Sequence, residues 1–184
     1  MASISPIDIP TERLRLRFLT PADAPAQFVL FSDPQVMRYG ASPPWTDMRQ
    51  AHRQIEQTLE DYASGKAARL AVELRGELIG NVSLYDLDAQ NRRCDLGYFL
   101  SPAHQGRGYM SEALRAAFGL AFDGWDLNRI EADVDPRNAA SIQLLERLGF
   151  QREGYMPERW IVNGEICDTA FYGLLRKRWQ QMAR

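Results

Sequence analysis

Over residues 95–112 the chain reads Asp-Leu-Gly-Tyr-Phe-Leu-Ser-Pro-Ala-His-Gln-Gly-Arg-Gly-Tyr-Met-Ser-Glu, with Gly106 and Gly108 on either side of Arg107. The apolar run that ends at Leu100 predicts a strand, and the residues after Gly108 open a helical pattern. A loop with two glycines that feeds a helix N-terminus offers consecutive backbone N–H groups to an anion. A pyrophosphate is the natural occupant of such a cradle. The purely structural alternative, in which the glycines only let the chain turn, stands beside it. Two other phosphate chemistries fit less well. The string G-x-x-x-x-G-K-[ST] does not occur. The dinucleotide fingerprint G-x-G-x-x-G is matched at Gly106 and Gly108, but its third position is Ser111. Asp135 supplies an acid after the next strand, yet five residues separate Leu100 from Gly106, where that fingerprint needs its glycine tight against the strand.

These residues need a scaffold, and hydrophobic periodicity supplies one. Leu14, Leu16 and Phe18 alternate with Arg13, Arg15 and Arg17, which predicts a first strand with one buried face. Helices are expected over about 21–31 and around Ala51, Ile55, Leu59 and Tyr62. Strands over 69–74 and 78–85 flank Arg75-Gly76-Glu77, a hairpin signal. A polar break over 86–92 precedes the strand over 95–100. After the glycine loop, Met110, Leu114, Phe118 and Phe122 mark one helical stripe, and 130–134 is strand-like. A helix carrying Ile142, Leu145 and Leu148 ends at Gly149, and Asn163-Gly164 predicts a late hairpin turn. Hairpins first and strand-helix-strand units later imply an α/β (α+β) fold, with a mixed, mostly antiparallel sheet flanked by helices. No repeat or linker divides residues 1–184, so a single domain is expected.

Bulk composition narrows the function classes. The 22 basic and 24 acidic side chains nearly cancel, with no basic stripe, which argues against a nucleic-acid partner. Apolar runs are too short and interrupted to span a membrane, and the opening MASISPIDIP lacks the pattern of a signal peptide. Cys94, Cys167, His52 and His104 are isolated from one another, so no metal is expected and a reduced, cytoplasmic protein is.

The segment 95–112, together with Asn-Ala-Ala-Ser-Ile-Gln-Leu-Leu-Glu-Arg-Leu-Gly-Phe over 138–150, resembles the GNAT superfamily of acetyl-CoA-dependent N-acetyltransferases. The opening Thr-Glu-Arg-Leu-Arg-Leu-Arg over 11–17 and the ending with Gly164, Asp168, Tyr172 and Leu175 look like its RimJ/RimL branch. The four motifs stand in register over almost the whole chain. The family's phosphate loop reads Q/R-x-x-G-x-G/A; Gln105 and Gly108 match, while Met110 replaces the small residue and must turn its side chain away. The resemblance implies that the amides of Gln105, Gly106, Arg107, Gly108, Tyr109 and Met110 hold the pyrophosphate, with Ser111 near it. It also implies that Gly97, Tyr98, Phe99 and Leu100 lie along the pantetheine arm. Arg147 would reach the outer phosphates or simply face solvent.

Acetyl transfer imposes three demands. The thioester oxygen must be stabilised, and a backbone N–H near Tyr98 or Phe99 could do so. The amine must be neutral, which is cheap for an α-amine near pH 8 and harder for lysine near 10.4. Asp95 stands where several superfamily members carry a carboxylate base; the alternative is an exposed strand-end acid. The leaving thiolate needs a donor, and many relatives place a tyrosine at the position of Leu145, which cannot donate. Ser141, four residues earlier on the same helical face, could fill that role or merely make room for pantetheine. Asn138 could contact the cofactor, cap the helix, or do both. The acceptor expected is an amine, either a protein N-terminus or a small molecule such as an antibiotic or polyamine; a non-catalytic acyl-CoA sensor is the contrasting class. Trp45 and Trp160 are candidates to line its site, and a homodimer is a partner the resemblance allows.

Overall fold

The computed structural model describes residues 4–162 and 164–182. Eight strands run through it: β1 (Asp8–Pro10), β2 (Arg15–Phe18), β3 (Ala68–Leu74), β4 (Glu77–Asp88), β5 (Arg93–Leu100), β6 (Arg129–Val134), β7 (Gln151–Val162) and β8 (Glu165–Leu175). They form one sheet in the order β1-β2-β3-β4-β5-β6-β8-β7. Every neighbouring pair is antiparallel except β5 and β6, which run parallel. The mixed, mostly antiparallel sheet expected from the sequence is therefore present.

Strand alternation sorts the helices onto two faces. Cys94, Leu96, Tyr98 and Leu100 of β5 pack with the main core, which includes Leu114 and Phe118 of α4 (Tyr109–Gly119) and Leu145 of α5 (Ala139–Arg147). Phe99 turns the other way and meets Phe31 of α1 (Ala24–Ser32), their rings 5.0 Å apart. Ala71 packs on that second face against Ala24 and against Ala51 and Ile55 of α3 (Met48–Ser64). Local chemistry explains the joints. Arg75 and Gly76 both have positive φ, +53° and +87°, as a tight hairpin with right-handed strand twist requires. Asp47 caps α3 by accepting from the Arg49 amide at 2.8 Å, and Gln50 reciprocates toward the Asp47 amide at 3.0 Å.

Several expected boundaries move. The helix expected over 21–31 divides into a 3-10 turn, Pro21–Asp23, and α1, because Asp23 is pulled aside by Thr20 and Arg17. The polar break expected from residue 86 starts later: a bulge between Tyr85 and Asp88, with Asp86 at φ +49°, lets β4 continue to Asp88. Two helices, α2 (Pro34–Met37) and α6 (Arg176–Met182), were not anticipated; each is too short to show a helical period. The stripe through Phe122 is helical but changes pitch, with a π-helical turn over Leu120–Gly124 that keeps Phe122 fully buried. The turn expected at Asn163-Gly164 joins β7 to β8, and Asn163 lies outside the described residues.

Candidate active site

The parallel pair β5·β6 is short. It registers Arg93 with Arg129, Cys94 with Ile130 and Asp95 with Glu131, and then the strands part. Beyond that point β5 stays paired with β4 up to Leu100, and β6 stays paired with β8 up to Val134. A wedge opens between them at the C-terminal ends of both strands. Hydrogen-bond parity identifies the backbone groups that line it. The Ser101 amide donates to Ile79 on the β4 side, whereas the Arg92 carbonyl accepts from Asn128 and Arg129 on the β6 side. Alternation then aims the amides of Tyr98 and Leu100 into the wedge and those of Gly97 and Phe99 at β4. Of the two oxyanion donors expected from the sequence, Tyr98 has the right direction and Phe99 the wrong one.

At the mouth of the wedge the chain passes through the glycine loop into α4. Gly106 and Gly108 both adopt positive φ, +73° and +79°. A Cβ on Gly106 would meet nothing within 4 Å, so the loop is open on that side. The Glu112 amide is the first to bond back into the helix, to Gly108 at 3.1 Å, which leaves the amides of Tyr109, Met110 and Ser111 as free helix-end donors. One expected donor is lost: the Gln105 amide is spent on Pro102 at 3.2 Å, closing a 3-10 turn, and its side chain binds the Leu100 carbonyl at 3.2 Å. Met110 is buried in the main core, so its side chain does point away from the cradle.

A clamp that sequence reading missed holds this loop to the turn between β1 and β2. Glu112 accepts from the Thr11 hydroxyl at 2.6 Å, the Arg13 amide at 2.8 Å and Arg13 Nε at 2.7 Å. Arg13 Nη1 also donates to the Arg107 carbonyl at 3.0 Å, and its guanidinium lies 4.7 Å from the Tyr109 ring centre. Burial pushes the Glu112 carboxyl upward, but the hydrogen bonds from Thr11 and Arg13 outweigh it and hold the group below its usual range. The partners are about a hundred residues apart, so no local pattern could have announced them.

On the α5 side, Asn138 caps the helix by accepting from the Ser141 amide at 3.1 Å. The Ser141 hydroxyl lies 2.6 Å from the Tyr98 hydroxyl across the wedge. Leu145, one turn further on, is fully buried in the main core. Arg147 is exposed at the last turn of α5, about 13 Å of helical rise from Asn138. The structure thus brings Asn138 and Ser141 to the wedge but leaves Arg147 at the far end of the helix.

Asp95 sits where β5 and β6 part, on the face that carries Phe99. Its side chain is 32% exposed, its Oδ1 has no hydrogen-bond partner among the described residues, and Arg93 Nη1 approaches to 3.6 Å. Burial, then the charges of Glu131 and Asp86, push the carboxyl up to about 6, with Arg93 opposing. The neighbouring Tyr85 is pushed up to about 12, first by burial and then by Asp95, Asp133 and Asp86. Trp160 donates to Asp133 at 3.1 Å, and Trp45 packs tilted against Phe31 with ring centres 4.6 Å apart, so the two tryptophans belong to this same face. Asp168 ties the β7 bulge by accepting from the Glu158 amide at 2.8 Å and from the Tyr155 hydroxyl. Among the described residues, no three His, Cys, Asp or Glu side chains converge as a metal site, and no helix is long and apolar enough to cross a membrane.

A protein-family model described as an acetyltransferase (GNAT) domain matches residues 13–151. The uncharacterized N-acetyltransferase p20 of Bacillus licheniformis is 35% identical over 171 residues, covering 92% of this chain and 96% of that protein. The putative ribosomal N-acetyltransferase YdaF of Bacillus subtilis is 28% identical, with 92% and 94% covered. A crystal structure of a probable acetyltransferase superposes with a TM-score of 0.86 at 27% identity, covering 94% of this chain and 99% of that one.

Proposed function

The chain belongs to the GNAT acetyltransferase family, and from that premise we propose that it moves the acetyl group of acetyl-CoA onto a primary amine by direct attack in a ternary complex. The observation that carries the reading is the parting of β5 from β6 beside free amides at the start of α4. The residues fit the cosubstrate. Gly106 through Ser111 would hold its diphosphate with backbone N–H groups, and the exposed inner edge of β5 would pair with the amides of its pantetheine arm. The Tyr98 amide would stabilise the oxyanion at the reacting carbonyl.

Asp95 is the base in this reading. Three residues along a strand span about 10 Å, so Asp95 reaches an amine at the Tyr98 end through water. A carboxylate near 6 matches an α-amine, which titrates near 8, better than a lysine near 10.4. We therefore infer that the acceptor is a protein's N-terminal amine. A small polycationic amine is the second reading, favoured by the acids Asp86, Asp95 and Asp133 around Tyr85. Release of free thiol from acetyl-CoA, followed with peptides bearing free or blocked N-termini, polyamines and amino sugars, decides between them. Highest kcat/KM on free N-termini is expected. Turnover confined to polyamines or sugars would replace the first reading with the second.

The clamp gives a separate test of the cradle. Arg13→Ala frees Glu112 and removes the hydrogen bond to the Arg107 carbonyl. Calorimetric titration is expected to show acetyl-CoA binding three- to tenfold weaker, about 0.7–1.4 kcal/mol, with little change in kcat at saturation.

A further inference from the structure

Resting on the acetyltransferase reading above, we propose that Tyr98 is a positioning residue for the departing thiolate: its phenol donates to Ser141 Oγ and so turns the serine's own hydrogen toward the sulfur. Three observations support the assignment. The two hydroxyls lie 2.6 Å apart, a strong hydrogen-bond distance. Strand alternation gives Tyr98 two tasks at one place, its amide in the wedge and its side chain on the face covered by α5. The helix itself offers no phenol, since Leu145 is fully buried and apolar.

The chemistry assigns the direction of the bond. Each hydroxyl carries one hydrogen. If serine donated to tyrosine, the free hydrogen would be the phenol's, and the Ser141 carbonyl 3.5 Å away would draw it from the sulfur. With tyrosine donating, the serine hydrogen is free and its torsion is fixed by the phenol. The Arg137 carbonyl, one turn before Ser141 and the usual competitor for a helical serine, already accepts from Tyr39 at 3.2 Å. Burial pushes the Tyr98 phenol up to about 12, so it keeps its hydrogen throughout the working range. A thiol titrates near 8.5, so no proton passes from phenol to sulfur. The pair lends hydrogen bonds only. The amine nitrogen forms the new C–N bond as the C–S bond breaks, and sulfur leaves with the electron pair. One amine proton passes to Asp95 through water, and the thiolate is protonated from solvent.

The test reads the thiol of bound coenzyme A directly, through the ultraviolet absorbance of its thiolate, as a pH titration of the complex minus protein alone. Cys94 is pushed up to about 12 by burial and stays silent in the range used. In the wild-type complex the ionisation constant of the bound thiol is expected to rise about tenfold over free coenzyme A, the size of one charge-assisted hydrogen bond. Tyr98→Phe and Ser141→Ala each abolish most of that rise, and the double variant loses no more than Ser141→Ala alone. Turnover falls three- to tenfold in each, while thermal denaturation checks that the fold persists. If coenzyme A does not bind to the wild-type protein, the acetyltransferase reading itself fails. If it binds and Tyr98→Phe leaves the thiol's ionisation unchanged, the positioning role is overturned. Additive losses in the double variant overturn it as well, because the two hydroxyls would then act independently.

Discussion

Asp95→Asn is expected to lower the turnover number about a hundredfold at pH 7 while making the protein more stable, a combination that an ordinary surface acid would not produce. Both halves follow from one environment. Burial and the charges of Glu131 and Asp86 raise the carboxyl to about 6, so it is ionised at pH 7 yet basic enough to take a proton from an attacking amine. The acidic limb of kcat/KM is expected near pH 6 in the wild type and absent in the variant. Raising the pH through 8 rescues the variant, as an α-amine then deprotonates unaided. On the stability side, the folded pKa lies above the unfolded value of 3.8. The native state therefore binds the proton more tightly, and this group favours folding most below pH 4. That contribution is lost as the pH rises through 6. Asparagine carries no such penalty, so the variant should gain roughly 1 kcal/mol at pH 7, after allowance for solvent screening at a one-third exposed site. The gain should vanish near pH 4. Denaturant titrations at the two pH values check the second half independently of any substrate. A variant as fast as wild type at every pH removes Asp95 from the chemistry.

What could be read from the sequence is what local physics encodes. Gly106 and Gly108 announced a loop opening into a helix, and that loop is present with both glycines at positive φ. The apolar run ending at Leu100 found β5, and strand parity could have shown that Tyr98 shares a face with Cys94 and Leu96, both covered by helices. What escaped was every relation fixed by strand pairing at long range. The parallel partnership of β5 with β6 ends at Asp95 and Glu131, and nothing in either strand alone marks that point. The Thr11–Arg13–Glu112 clamp and the Tyr98–Ser141 contact depend on which elements become neighbours. Asp95 could be read as a strand-end acid or as a base because its perturbation comes first from burial and then from Glu131 on another strand. Gln105 was read as a phosphate donor because a motif does not reveal that its amide already closes a turn on Pro102.

Gly108→Asp is expected to weaken acetyl-CoA binding between ten- and a hundredfold, about 1.4–2.8 kcal/mol, in a protein that remains folded. Gly108 is the N-cap of α4 at φ +79°, a left-handed conformation. Aspartate tolerates that region better than most residues and is a good N-cap, so strain of about 1–2 kcal/mol is offset in part by capping of similar size. The damage falls on the ligand instead. A Cβ at this position stands 3.4 Å from Arg13 Nη2, so the new carboxylate would pair with Arg13 and draw it from Glu112 and the Arg107 carbonyl. It would also place a negative charge at the helix end, where the free amides of Tyr109, Met110 and Ser111 are poised for a diphosphate. Gly108→Ala separates the two effects. It carries the left-handed strain without the charge, and its loss should stay within about threefold if electrostatics dominate. Thermal melts of each variant, with and without acetyl-CoA, show whether the fold or the cradle has been damaged. Wild-type affinity in a folded Gly108→Asp protein would mean that the diphosphate sits elsewhere, and the assignment of Gly106 through Ser111 would fall with it.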